Sequence, residues 1–185
     1  MNSDGYEDRG TPSFSKGHRL FRLVWNAVWL IFASWTPRYF YKWRRLLLVI
    51  FGAKLHKRVD VRGSARVWYP PNLEMGARTM LAENVNCYNM APIKILHDTL
   101  VSQGTYICAG THDYTRASHP LKTREIEIGP CVWIAAEAFI SPGAIVSEGC
   151  VIGARSVVSG KLKPWYLYAG NPAQPIKIRQ YNKET

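Results

Sequence analysis

From Ile128 to Val158 an aliphatic residue recurs at every sixth position: Ile128, Ile134, Ile140, Val146, Ile152 and Val158. A period of six is neither the 3.6 of an α-helix nor the 2 of a β-strand, so neither element explains it. The fifth residue of each of the first five hexads is compact, namely Val132, Ala138, Ala144, Cys150 and Ser156. A fixed short repeat predicts a solenoid. If each hexad forms one flat side, three hexads close a triangular coil of eighteen residues. Ile128 then stacks on Val146, Ile134 on Ile152 and Ile140 on Val158, at the inter-strand spacing of about 4.8 Å. The aliphatic ladder fills the prism, and the compact residue sits where the chain turns inward.

Upstream the repeat is less regular. Met75, Leu81, Cys87 and Ile93 share one register, and Ile95, Val101 and Ile107 share another displaced by two residues. That slip, at Ala91-Pro92-Ile93-Lys94, predicts a bulge or short loop, and Val61 and Val67 fit an earlier, imperfect coil around Pro70-Pro71. Between His112 and Ile128 the period vanishes for the fifteen residues Asp113 to Glu127 and then resumes. This is a loop extruded from the solenoid, and long loops in compact folds tend to be functional.

The N-terminal part has a different character. Residues 1–15 are polar and read as a disordered lead-in, and no secretory signal fits them. Residues 16–56 are rich in Trp, Phe, Leu and Arg and predict an amphipathic helical segment. Its longest apolar stretch, Leu23 to Trp35, has thirteen residues, short of the roughly 20 that span a bilayer. Pro37 ends the first helix and Gly52 the second. Residues 20–51 either pack on the main domain or a neighbouring subunit, or form an interfacial anchor. In the anchor, Trp25, Trp29, Trp35 and Trp43 lie at headgroup level, with Arg and Lys facing anionic lipid. The solenoid occupies 57–179 and a tail 180–185.

A net charge of +11 suits anionic partners in general, and no nucleic-acid-binding module accompanies it. Cys87, Cys108, Cys131 and Cys150 form no C-x-x-C pair, so they read as free, largely buried thiols of a cytoplasmic protein.

At this point the residues resemble a known family, the hexapeptide-repeat acyltransferases. Within it the chain is similar to the colanic-acid biosynthesis acetyltransferases of WcaF type, relatives of the nodulation and galactoside O-acetyltransferases. The segments that carry the resemblance include Tyr69-Pro70-Pro71-Asn72-Leu73, Cys108-Ala109-Gly110-Thr111-His112-Asp113-Tyr114, Gly153-Ala154-Arg155-Ser156 and Tyr168-Ala169-Gly170-Asn171-Pro172-Ala173. Together with the hexads they cover most of the chain from Leu46 to Arg179. The resemblance implies a left-handed parallel β-helix, a homotrimer, acetyl-CoA as donor and no metal. The acceptor it implies is a sugar or lipid-linked sugar in exopolysaccharide or lipopolysaccharide assembly, and a serine or amine acceptor is the alternative.

Acetyl transfer to a hydroxyl needs a general base, and neutral histidine suits that role near pH 7. His112 closes the last regular hexad before the loop and also matches the family's catalytic histidine. Asn86, Asn89 and Asp113 are acceptor-site candidates, with turn residues as the other reading of the two asparagines. The resemblance carries donor contacts onto Ala136, Ala154, Ser159, Gly160, Lys177 and Arg179. Where relatives have Thr-Lys, this chain has Ser159-Gly160, with Lys161 one step later. Two rival functions use the same fold. A metal-dependent hydratase of the γ-carbonic-anhydrase type needs three clustered histidines, and only His97, His112 and His119 lie in the coils, without matching spacing. A non-catalytic membrane-bound scaffold needs neither the His-Asp-Tyr nor the Gly-Asn-Pro-Ala segment.

Overall fold

The computed structural model describes residues 14–180. Most of the expected lead-in and tail lie outside these residues. Two helices, α1 (Lys16–Phe32) and α2 (Tyr41–Ile50), precede a parallel β-solenoid of about six turns. Each turn presents short strands on three sides. On the first side, Lys54–Leu55, Leu73–Met75, Ile93–Ile95, Ile126–Ile128 and Ile145–Val146 pair in parallel. The second side begins with Val59–Val61 and ends with Tyr166–Ala169, against which Gln174–Ile178 folds back antiparallel. The third runs from Arg66–Val67 to Val157–Val158.

The hexad ladder has the expected register: Ile128 opposes Val146, Ile134 opposes Ile152 and Ile140 opposes Val158. All six side chains are fully buried, as are Ala138, Ala144, Cys150 and Ser156 at the inward turns. The upstream coils correct the sequence reading. Met75 stacks on Leu55 and Ile95, so the column begins one coil earlier and is not broken at the slip. Ile93 occupies the inward-turn position instead, between Leu73 and Ile126. Likewise the solenoid resumes at Ile126, which is buried, and not at Ile128. The period failed there because two coils carry eight residues, not six, between their third and first sides, from Val67 to Met75 and from Cys87 to Ile95.

These insertions, and the longer one after Cys108, all fall on a single edge of the prism. The other edges stay tight and stack charges one coil apart. Arg78 pairs with Asp98 (Nη2 to Oδ2 2.6 Å), and Arg155 pairs with Glu137 (2.6 Å). His97 sits in the first of these stacks, 2.7 Å from Asp98, whose carboxyl is held down at about 2, chiefly by Arg78.

The helices are clamped to the early coils by polar groups that the sequence presents as lipid-facing. Ser15 caps α1 by accepting from the His18 amide. Trp25 and Trp29 are buried and donate their indole N–H groups to the Val67 and Gly63 carbonyls at 2.7 and 3.1 Å. They are therefore core residues, not headgroup anchors. Gly63 is required at this contact, since a Cβ there would lie 2.6 Å from the Ser34 carbonyl oxygen. Arg44 is likewise fully buried, donating to the carbonyls of Val61, Thr36, Pro37 and Arg38 and to the Thr36 hydroxyl. Arg45 donates to the Leu55 and His56 carbonyls. Burial lowers the Arg44 pKa and raises that of Asp60, 3.7 Å away, while their mutual attraction opposes each shift. What remains outward is apolar. Leu20, Leu23, Val24, Leu30 and Ile31 on α1, the turn residues Trp35, Tyr39 and Phe40, and Trp43, Leu46 and Ile50 on α2 are all exposed. Among the described residues no helix is long and apolar enough to cross a membrane.

Candidate active site

The edge that carries the insertions is built up coil by coil. In the first coil the extra residues form a 3-10 turn, Pro70–Asn72. In the second, Asn89 is fully buried and clasps the Tyr69 backbone, accepting from its N–H at 3.0 Å and donating to its C=O at 2.7 Å. Asn72 closes the lock by donating to the Asn89 and Met90 carbonyls. With both ends of its amide engaged by the backbone, Asn89 secures the corner, the turn role that was the other reading of it. In the third coil the insertion becomes a β-hairpin, Gly110–His112 against Leu121–Thr123, with His112 opposite Leu121. The expected extruded loop is therefore largely ordered strand and turn. Gly110 lies where the hairpin leaves the coil, and the space a Cβ would take there is filled by the flexible Met90 side chain.

His112 is exposed, and its Nδ1 lies 2.6 Å from the His119 carbonyl oxygen. A carbonyl only accepts, so Nδ1 must carry the proton. In the neutral ring the lone pair then sits on Nε2, so the hairpin selects one tautomer of His112. His119 contributes through its backbone, in a turn with φ +46° held by its N–H to Arg116 O. Nothing in a residue type announces such a role. Asp113 follows His112 but turns into the hairpin. It accepts from Lys122 Nζ (2.8 Å) and from the Thr115 hydroxyl (2.6 Å) and amide (3.1 Å), which hold its carboxyl well below the usual range. It thus braces the loop that supplies the His119 carbonyl, rather than standing free for a substrate.

Two hollows adjoin at Asn26 of α1, and His112 lines one of them. One, of about 460 Å³, has His112, Met90 and Leu121 on the coil side and Arg19, Arg22 and Asn26 of α1 opposite. The other, of about 780 Å³, shares Asn26 with it and runs along the third side under Trp68, Tyr88 and Tyr106. Asn86 lines this groove. The three rings form a continuous column, with Trp68 to Tyr88 centroids 5.6 Å apart and Tyr88 to Tyr106 centroids 6.1 Å apart. Arg19, Arg22 and the aromatic column were not singled out from sequence. A helix bearing two arginines among leucines reads as an ordinary solvated face, and only the docking of α1 brings them to the hairpin.

The residues matched to donor binding bracket the same third side. Ala136 and Ala154 lie one coil apart on the edge before it, and Ser159 and Gly160 on the edge after it, above the hairpin's own corner. Ala154, Ser159 and Gly160 are exposed. Lys177 is exposed on the terminal strand Gln174–Ile178. Arg179 is half-buried and donates to the Cys131 and Gly149 carbonyls at 2.6 and 3.0 Å, so it fastens the end of the chain to the solenoid. No disulfide joins the four cysteines, and burial pushes the Cys87 thiol up to about 12. Among the described residues no three His, Cys, Asp or Glu side chains gather into a metal-holding group, and His97 lies on a different edge from His112.

No family model matches the sequence. The chain is 35% identical over 166 residues to the Escherichia coli K12 protein named as colanic acid biosynthesis acetyltransferase WcaF, covering 90% of this chain and 91% of that one. It is 28% identical over 140 residues, 69% of this chain and 67% of the relative, to the Escherichia coli K12 protein named as lipopolysaccharide biosynthesis O-acetyl transferase WbbJ. Among solved structures, a maltose O-acetyltransferase from Clostridium difficile 630 superposes with a TM-score of 0.80 at 24% identity, covering 90% of each chain. A galactoside acetyltransferase in complex with coenzyme A gives 0.81 at 20% identity, covering 91% of this chain and 86% of that chain. At these identities the superpositions show a common fold.

Proposed function

Because the chain belongs to the hexapeptide-repeat acetyltransferases, of which WcaF is a relative along nearly its whole length, we propose that it moves acetyl from acetyl-CoA to a sugar hydroxyl, with His112 as general base. The setting we propose is exopolysaccharide or lipopolysaccharide biosynthesis. The observation that carries the reading is the 2.6 Å hydrogen bond from His112 Nδ1 to the His119 carbonyl, which leaves Nε2 as acceptor on a residue that lines a hollow of about 460 Å³. Nε2 takes the proton of the acceptor hydroxyl as its oxygen attacks the thioester carbonyl carbon. The tetrahedral intermediate collapses with cleavage of the C–S bond, and the imidazolium returns the proton to the departing thiolate. The base is regenerated and no acyl-enzyme is required.

In this reading the donor runs along the third side of the prism. Ala136, Ala154, Ser159 and Gly160 bring little side-chain bulk to its two edges, so a pantetheine arm can approach backbone amides there. Lys177 is the cation available to a CoA phosphate, while Arg179 serves the fold. We assign Asn86, in the aromatic groove, to the acceptor. A homotrimer would place a second prism against the donor groove, and three-fold closure is an economical way to cover a flat prism side. The test of the reading is thiol release from acetyl-CoA against a panel of glycosides, nucleotide sugars, serine and amines. Release dependent on a sugar hydroxyl supports it, and release with amines alone contradicts it.

The outward apolar face of the two helices is assigned to a lipid surface, reached peripherally. A helix that is apolar around its whole circumference is normally covered on all sides. Here the inner half of α1 packs on the coils while Leu20, Leu23, Leu30 and Ile31 remain open, and Arg38 and Lys42 flank the exposed Trp35, Tyr39 and Phe40. That combination fits an interface with anionic headgroups. The protein should therefore co-sediment with vesicles containing phosphatidylglycerol. A Trp35→Ser, Phe40→Ser variant should lose about tenfold or more in partitioning, since each ring buries apolar area at the interface. Equal recovery in the supernatant with and without vesicles would refute the assignment.

A further inference from the structure

We propose that the acceptor is anionic: Arg19 and Arg22 hold a phosphate or carboxylate group on it while a nearby hydroxyl meets His112. The inference rests on the reading of His112 as the base. Both arginines project from one face of α1, three residues apart, into the hollow of about 460 Å³ that His112 also lines. No Asp or Glu lines that hollow. Among the described residues neither guanidinium forms an ion pair, and the one carboxylate adjoining His112, Asp113, is taken up by Lys122 and Thr115. Arg22 is held in place, its guanidinium carbon 4.0 Å from the Trp68 ring centroid, yet its Nε is buried with no hydrogen-bond partner. Arg19 spends its Nε on the Phe14 carbonyl, and among the described residues its terminal nitrogens make no hydrogen bond.

Two like charges at this spacing repel, and a buried donor without an acceptor costs free energy that folding must carry. A bound anion relieves both. The planar guanidinium matches the paired oxygens of a phosphate or carboxylate, and stacking on Trp68 orders one of the two forks in advance. A neutral sugar would supply hydroxyls to one or two of these donors but would leave the positive charge uncompensated. The adjoining groove under Trp68, Tyr88 and Tyr106 has the flat aromatic walls that suit the rest of a sugar chain.

The experiment compares kcat/KM of acetyl transfer to three matched acceptors: a methyl hexoside, the corresponding methyl hexuronoside and the hexose 1-phosphate. The wild-type protein should favour one of the charged acceptors over the neutral one by about 10- to 100-fold, the range of a charge-assisted pair. Whichever is favoured tells carboxylate from phosphate. In Arg19→Gln, Arg22→Gln protein the charged-over-neutral ratio should fall to about one with KM for acetyl-CoA unchanged, and Arg22→Lys should retain part of the preference. Thermal melts of each variant verify that α1 stays docked. Equal use of neutral and charged acceptors by the wild type overturns the inference but leaves the proposed function intact. A rise in KM for acetyl-CoA in the double variant, with the ratio unaltered, would assign the arginines to the donor and also overturn it. Transfer to no hydroxyl acceptor at all overturns both.

Discussion

Replacing His112 with alanine is expected to lower acetyl transfer by about 10²- to 10⁴-fold, the usual contribution of a positioned general base. The thermal midpoint should change little. The side chain is exposed, its one hydrogen bond joins two ends of the same hairpin, and that hairpin is closed by the pairing of Gly110–His112 with Leu121–Thr123 independently of the ring. Substitutions at such a position normally stay within about 0.5 kcal/mol. The loss should appear in kcat with KM for acetyl-CoA preserved, because in the proposed reaction the imidazole moves protons and does not hold the donor in its groove. His112→Gln should be equally impaired, since an amide hydrogen-bonds but cannot take up the proton. An alanine variant with normal turnover would remove His112 from the mechanism.

The second large effect concerns stability. Arg44→Ala should destabilise the fold by about 3–5 kcal/mol, the range seen when one partner of a buried charged cluster is removed. The guanidinium serves the Val61, Thr36, Pro37 and Arg38 carbonyls and the Thr36 hydroxyl from a fully buried position, 3.7 Å from Asp60. Truncation leaves those acceptors without their donor, takes from Asp60 one of its two arginine partners, and opens a cavity between α2 and the first coil. Arg44→Lys should recover only part of the loss, because a single ammonium cannot reach acceptors spread around a planar fork. Chemical denaturation measures both variants. A shift under about 1 kcal/mol for the alanine variant would mean that the cluster does not hold the helices to the coils.

The solenoid was legible because its core repeats. Ile128 to Val158 gave side, coil and register together, since each inward position is filled by the same class of residue in every coil. Legibility failed where the third edge carries extra residues. Pro70–Asn72 and Asn89–Pro92 each add two, so Ile93 and Met75 seem to share a column when in fact Met75 belongs with Leu55 and Ile95. The same edge bears the hairpin, so the irregularities that obscured the repeat mark where the site is built. His112 could be proposed from sequence because the chemistry asked of it belongs to its side chain. The His119 carbonyl that sets its tautomer could not, as every residue has one. Asn89 and Arg179 carry polar side chains of the right kind for a ligand, yet both also bind backbone groups, at Tyr69 and at Cys131 and Gly149. Trp25, Trp29 and Arg44 belong to the same class. An amphipathic pattern locates a helix's apolar residues but does not say which face meets the protein.

An enzyme of this kind makes an ester between an acetyl group and a sugar hydroxyl. Mass analysis of a sugar acceptor after incubation with acetyl-CoA and the wild-type protein, with the His112→Ala protein alongside, detects that bond. The expected product is an acceptor heavier by one acetyl group, released by mild alkali, and at most a trace of it from the variant. An acetyl group that resists alkali, as an amide does, or equal product from both proteins, would contradict the proposed function.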